Sequence, residues 1–77
     1  MKSANIRLST IEDVRRFVNA ATKCDSEIDL VSGRYVIDAK SIMGIFSLDL
    51  SKPIDLNIHA ESNADEILDA LKPYIIG

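Results

Sequence analysis

The stretch Ile54 to Ala60 sets the strongest constraint on the fold. Ile54, Leu56, Ile58 and Ala60 alternate strictly with Asp55, Asn57 and His59, which reads as a strand with one apolar and one polar face. A strand of this kind suits an antiparallel sheet that packs one face on a core and leaves the other to water; strands of a parallel sheet are buried on both faces and read as continuous apolar runs. The chain of 77 residues is short, so one domain covering residues 1–77 is expected, with a thin core and no deep substrate cleft. Any chemistry would sit on the surface and be completed by a partner.

The remaining segments fit around that strand. Lys2 to Leu8 alternates loosely, with Ala4, Ile6 and Leu8 on one side. Ser9-Thr10-Ile11-Glu12 has the form of a capping box, Ser9 as N-cap and Glu12 reaching back. The apolar stripe Ile11, Val14, Phe17, Val18 and Ala21 then follows at helical spacing and runs out near Lys23. Glu27–Val31 and Arg34–Asp38 read as a hairpin about a Ser32-Gly33 turn, with Ile28 and Leu30 sharing a face with Tyr35 and Ile37. Ser41 is placed to cap a short helix carrying Ile42, Met43, Ile45, Phe46 and Leu48. Ser51-Lys52-Pro53 breaks the chain, and Glu61-Ser62 turns it after the clean strand. Asn63 starts a last helix with Ala64, Ile67, Leu68 and Leu71 inward, and Pro73 ends it ahead of a packed Tyr74-Ile75-Ile76 tail. The order is β-α-β-β-α-β-α. It describes an α+β open-faced sandwich, a four-stranded antiparallel sheet with three helices on one face.

Charge and cysteine count narrow the function classes. A net charge of −3 and a pI near 4.9, with few aromatics, argue against nucleic acid. Cys24 is the single cysteine, which excludes an internal disulfide or a thiolate metal cluster and suits a reducing compartment. With no apolar run of bilayer-spanning length, a cytoplasmic protein that does not bind membranes is the expectation. No cofactor or metal is expected either. His59, the only histidine, falls on the open face of its strand as a neutral solvent-facing residue. Arg15-Arg16, Asp29 and Asp65-Glu66 read as solvated faces.

Two features stand out. Ser41 as an N-cap is an ordinary structural serine, yet a phosphate there would meet free helix amides. The helix behind it is over-supplied with apolar residues. Ile45 and Leu48 point inward, which leaves Ile42, Met43 and Phe46 toward the outside as an overfull core or as a docking patch.

The run Lys40-Ser41-Ile42-Met43-Gly44-Ile45-Phe46-Ser47-Leu48 after Asp38-Ala39 resembles HPr, the histidine-containing phosphocarrier of the bacterial sugar phosphotransferase system. The likeness extends upstream through Val18–Asp25 and downstream through the strand Asp55–Ala60 and the last helix. It implies the open-faced β-sandwich of that family, a monomer, and no enzymatic activity of its own. One segment departs from the family pattern. The family enters its first helix through His-Ala-Arg-Pro-Ala, whereas this chain has Ser9-Thr10-Ile11-Glu12-Asp13. The resemblance puts the phosphoacceptor at about Thr10 and the arginine at Glu12. A threonine ester does not pass its phosphate on as phosphohistidine does, and Glu12 and Asp13 would repel an incoming phosphoryl group.

What persists is the family's regulatory surface. By resemblance Ser41 is the target of an ATP-dependent HPr kinase. Lys40, Ile42, Met43 and Phe46 then match the docking face for enzyme I, the kinase and a transcriptional co-regulator. The implied role is a regulatory or docking protein of carbon catabolite control. Two alternatives accompany it: a phosphocarrier with an unconventional acceptor such as His59, and a scaffold that self-associates through the apolar helix.

Overall fold

The computed structural model describes residues 2–60 and 62–77. Four strands, β1 (Lys2–Ile6), β2 (Glu27–Ser32), β3 (Tyr35–Asp38) and β4 (Ile54–His59), form one sheet in the order β1-β4-β2-β3. Every pairing in it is antiparallel. The helices are α1 (Ile11–Thr22), α2 (Ile42–Phe46) and α3 (Ala64–Ala70), and a 3₁₀ turn at Lys72–Tyr74 follows α3. The expected order and sheet are therefore present.

β4 and β2 are the inner strands, and β4 shows the cleaner alternation of buried and solvent-facing residues. Ile54, Leu56 and Ile58 are buried while Asp55 and His59 are exposed. Cross-strand register brings Ile6, Ile28 and Leu30 onto the same side, where Val14, Phe17 and Ala21 of α1, Ile45 of α2 and Ile67 of α3 complete one core. Burying about ten large aliphatic and aromatic side chains, at roughly 1.5–3 kcal/mol each, supplies the main force opposing chain entropy. The C-terminal tail packs as expected: Tyr74 meets Phe17 edge-on with ring centroids 5.6 Å apart. The Arg7 and Asn5 amides donate to the Tyr74 and Gly77 carbonyls, and the Ile76 amide donates to Asn5. Residues 74–77 thereby cover the outer edge of β1.

Several local expectations are corrected. The first strand ends at Ile6, although Leu8 is still buried. The α1 cap is Thr10, not Ser9, and its partner is Asp13, not Glu12. The sequence contains two overlapping box frames, and the Asp13 frame prevails because that carboxylate reaches two amides at once. Ile11 precedes the buried part of the stripe and is 69% exposed. The hairpin turn is Gly33-Arg34, since Ser32 pairs directly with Tyr35. Gly33 takes φ +60° and Arg34 keeps a negative φ, which is the II′ pattern that places glycine first. Asn63 makes no side-chain cap bond. Glu61, half of the expected Glu61-Ser62 turn, lies outside the described residues.

Candidate functional site

The two helix starts that the sequence singles out are built differently. At α1 the Thr10 hydroxyl accepts from the Asp13 amide at 3.0 Å, and the Asp13 carboxylate accepts from the Ser9 and Thr10 amides at 3.0 and 3.3 Å. A carboxylate of the chain itself thus takes up the two amides just ahead of the helix and sets a negative charge at its start, where an external anion would otherwise be favoured. Glu12 lies in the same first turn and pairs along the helix with Arg16 at 3.5 Å and Arg15 at 4.0 Å. The only basic pair of the sequence is thereby turned toward Glu12. The start of α1 therefore carries its own negative charge and is electrostatically unfavourable to an external anion.

At α2 the Ser41 hydroxyl accepts from the Gly44 amide at 3.2 Å, as the sequence led us to expect, and no acidic residue stands in the first turn. Ser41 is half-buried, and its own amide donates to the Asp38 carbonyl at 2.9 Å. Gly44 sits so close to the sheet that a Cβ there would fall 2.6 Å from Ile37 Cγ2. This close approach explains the glycine of the Lys40–Gly44 run. It also fixes how α2 presents its neighbours.

Ile45 is fully buried and Leu48 nearly so, while Met43 is 77% and Phe46 40% exposed. Ile42, expected toward the outside, is instead partly buried against the core. The exposed apolar surface of α2 is therefore a methionine and an aromatic, with Ile42 as its floor. Lys40, expected to meet partners, has its ammonium 2.8 Å from the Cys24 carbonyl, to which it donates. That bond places a positive charge at the C-terminal end of α1, a helix with no basic residue in its own last turn. Cys24 itself is half-buried, and its thiol lies 3.5 Å from the Ala20 carbonyl.

His59 lies on the open face of the sheet, as its alternation implies, but it is not an isolated solvent-facing residue. Its Nε2–H donates to the Asp29 carboxylate at 2.7 Å. Asp29, read as part of a solvated face, is thus a partner. Register sets Glu27 beside His59 and Asp38 beside Asp29, so the imidazole stands among carboxylates. Sequence patterns could not reveal this pair, because the two residues come from different strands and their meeting depends on register. The Gly44 approach and the Lys40–Cys24 bond were hidden for the same reason.

The comparisons with known proteins agree with this fold. The family profile described as "PTS HPr component phosphorylation site" matches residues 13–76. The chain belongs to the HPr family, whose members are phosphocarriers of the phosphotransferase system, rather than enzymes, and interact with its proteins. Among solved structures, HPr-C-His from Thermoanaerobacter tengcongensis is similar at a TM-score of 0.80 and 29% identity, over 95% of this chain and 89% of that one. The phosphocarrier protein HPr from Bacillus anthracis str. Ames follows at 0.74 and 26%, over 97% and 96%. No curated protein matches significantly. Among the described residues, no helix is long and apolar enough to cross a membrane.

Proposed function

We propose that this chain is an HPr-family protein that has given up histidine phosphotransfer and serves the cytoplasmic phosphotransferase system as a docking and regulatory protein. The observation that carries the reading is the self-capped start of α1. Where the family resemblance puts the phosphoacceptor, Thr10 is committed to the Asp13 amide, and the Asp13 carboxylate fills the neighbouring donors. Adding a doubly charged phosphoryl group would set it against Asp13 and Glu12 within one helical turn, with repulsion of order 1 kcal/mol per pair even in high dielectric. The family profile begins at Asp13, just past this segment.

The α2 surface supports the other half of the reading. Met43 and Phe46 are exposed beside a helix start that has no acid of its own. A flexible thioether and an aromatic ring are suited to anchoring a protein partner. HPr kinase, an enzyme I-like protein or a transcriptional co-regulator are the partners that the family likeness suggests. Phosphorylation of Ser41 by such a kinase belongs to the same reading, since the N-cap position tolerates a negative charge.

The test is a titration of HPr kinase with the protein and with a Met43→Ser/Phe46→Ala variant, followed by incubation with ATP and intact-mass analysis. The reading expects at least about a tenfold loss of affinity in the variant, the equivalent of 1.4 kcal/mol. It also expects one phosphate, placed on Ser41. Equal affinities would remove the docking role, and an unmodified Ser41 would remove the switch.

A second reading draws on His59, whose ring is oriented by Asp29 at 2.7 Å. A carboxylate-held imidazole is chemically able to accept a phosphoryl group. Asp29 itself, with Glu27 and Asp38 on the neighbouring strands, makes its face an unfavourable place for one.

A further inference from the structure

The two outer edges of the sheet are treated differently. The β1 edge is covered by residues 74–77 through the three backbone bonds described above. The β3 edge, Tyr35–Asp38, has no strand beside it among the described residues. Tyr35 and Val36 are each 65% exposed, unusual for a four-residue strand next to a well-filled core. An open edge with exposed apolar residues is a template for another strand.

The ladder phase states which groups are on offer. In an antiparallel pair, bonded and non-bonded residue pairs alternate. The Ala39 amide donates to the Ile28 carbonyl at 2.9 Å, so Ile37 and Tyr35 are the next residues to bond inward to β2. The N–H and C=O of Val36 and the N–H of Asp38 therefore face outward. The Asp38 carbonyl is already taken by the Ser41 amide. The side chains add a second pattern. Arg34 and Asp38 lie two residues on either side of Val36 and carry opposite charge. Among the described residues Arg34 makes no ion pair. The Asp38 carboxylate uses one oxygen to accept the Lys40 amide, which leaves the other.

We infer that β3 pairs with β3 of a second copy of this chain, antiparallel about a two-fold axis at Val36. In that register Val36 faces the second copy's Val36, and the two exchange both of their outward backbone bonds. The Asp38 amide reaches the other copy's Arg34 carbonyl, and the guanidinium of Arg34 meets the free carboxylate oxygen of the other copy's Asp38. Tyr35 stands across from Ile37 at a closely spaced position, an aromatic and β-branched pair of the favourable kind. The symmetry favours a second copy over a foreign strand. Charges of one sign at both ends would repel in self-pairing, whereas opposite charges at equal offsets attract twice. A four-residue strand makes a small interface, so the dimer is weak and forms as concentration rises. It extends the sheet from edge to edge and uses neither Met43 nor Phe46.

The experiment is sedimentation equilibrium from micromolar to millimolar concentration, with amide spectra recorded along the same series. The wild-type chain should move from monomer toward twice its 8.5 kDa mass, and the amides of Val36 and Asp38 should shift with concentration. Val36→Pro removes an outward N–H and leaves the β2 ladder intact; it should stay monomeric with an unchanged circular dichroism spectrum. Arg34→Glu and Asp38→Lys should each need at least about tenfold more protein to dimerise. An equimolar mixture of the two should dimerise like wild type, because both cross-copy pairs are then again opposite in sign. A wild-type monomer throughout would overturn the inference. So would a Val36→Pro dimer of undiminished affinity, or a mixture that behaves like its separate components.

Discussion

The starts of α1 and α2 share one backbone device and put it to different ends. Each is capped by a hydroxyl that accepts from the amide three residues on, Thr10 from Asp13 and Ser41 from Gly44. At α1 the third residue is an aspartate that returns the bond to two amides, and a glutamate stands beside it. At α2 the third residue is a glycine pressed against Ile37, the first turn has no acid, and the residues around the glycine are apolar. The same capping geometry therefore yields one end that carries its own acids and one end that leaves Met43 and Phe46 exposed. In the function proposed above, this contrast separates transfer chemistry from docking: acids at a helix start disfavour a phosphoryl group, whereas docking needs only a rigid apolar surface.

The largest test of the contrast is steric. Gly44→Val puts a branched side chain where even a Cβ would be 2.6 Å from Ile37 Cγ2. Overpacking of this sort costs about 1–3 kcal/mol. A domain of this size should lose roughly 4–8 °C in Tm for each kcal/mol. Thermal unfolding of the variant at the wild-type midpoint would show that α2 is not held by this approach.

A smaller effect compares the caps themselves. Asp13→Ala strips two amides of their acceptor and should cost about 1–2 kcal/mol in urea unfolding, whereas Ser41→Ala should cost about 1 kcal/mol. Ser41→Asp should restore most of that loss, because a carboxylate is an equally good cap and the first turn of α2 holds no acid to oppose it. If Ser41→Asp were as unstable as Ser41→Ala, the α2 start would not be the open end described here.

The smallest effect concerns a third carboxylate that holds its own loop. The Ser51 hydroxyl, and then its backbone N–H, bond to Asp49 and keep its carboxyl below the ordinary 3.8. A depressed carboxyl contributes stability above its unfolded value and loses it as pH falls through the folded one. The stability difference between wild type and Asp49→Asn should be slight near neutrality and vanish in acid. A difference that grew as the pH fell would reverse the assignment.

Much of this was legible in the chain. The period-two run of β4 and the stripe of α1 declare their faces directly, since burial imposes a repeat that sequence must carry. Ser41 as cap and Ile45 as core residue follow from the same logic. The Thr10–Asp13 frame is ambiguous in sequence because two boxes are offset by one residue, and only the reach of the shorter carboxylate decides between them. Ile42 was misplaced outward because a five-residue helix is too short for its periodicity to settle which residues lie at the margin. His59 with Asp29 and Lys40 with the Cys24 carbonyl are long-range meetings that depend on register and helix placement. No local pattern encodes them.

The most direct measurement is exposure of the protein to enzyme I and phosphoenolpyruvate, with intact mass and peptide mapping at a pH that preserves phosphohistidine. A genuine HPr serves as the positive control. A self-capped α1 start predicts that the chain acquires no phosphoryl group while the control is fully modified. An acid-labile phosphate on His59, or any transferable phosphate at Thr10, would contradict the central claim.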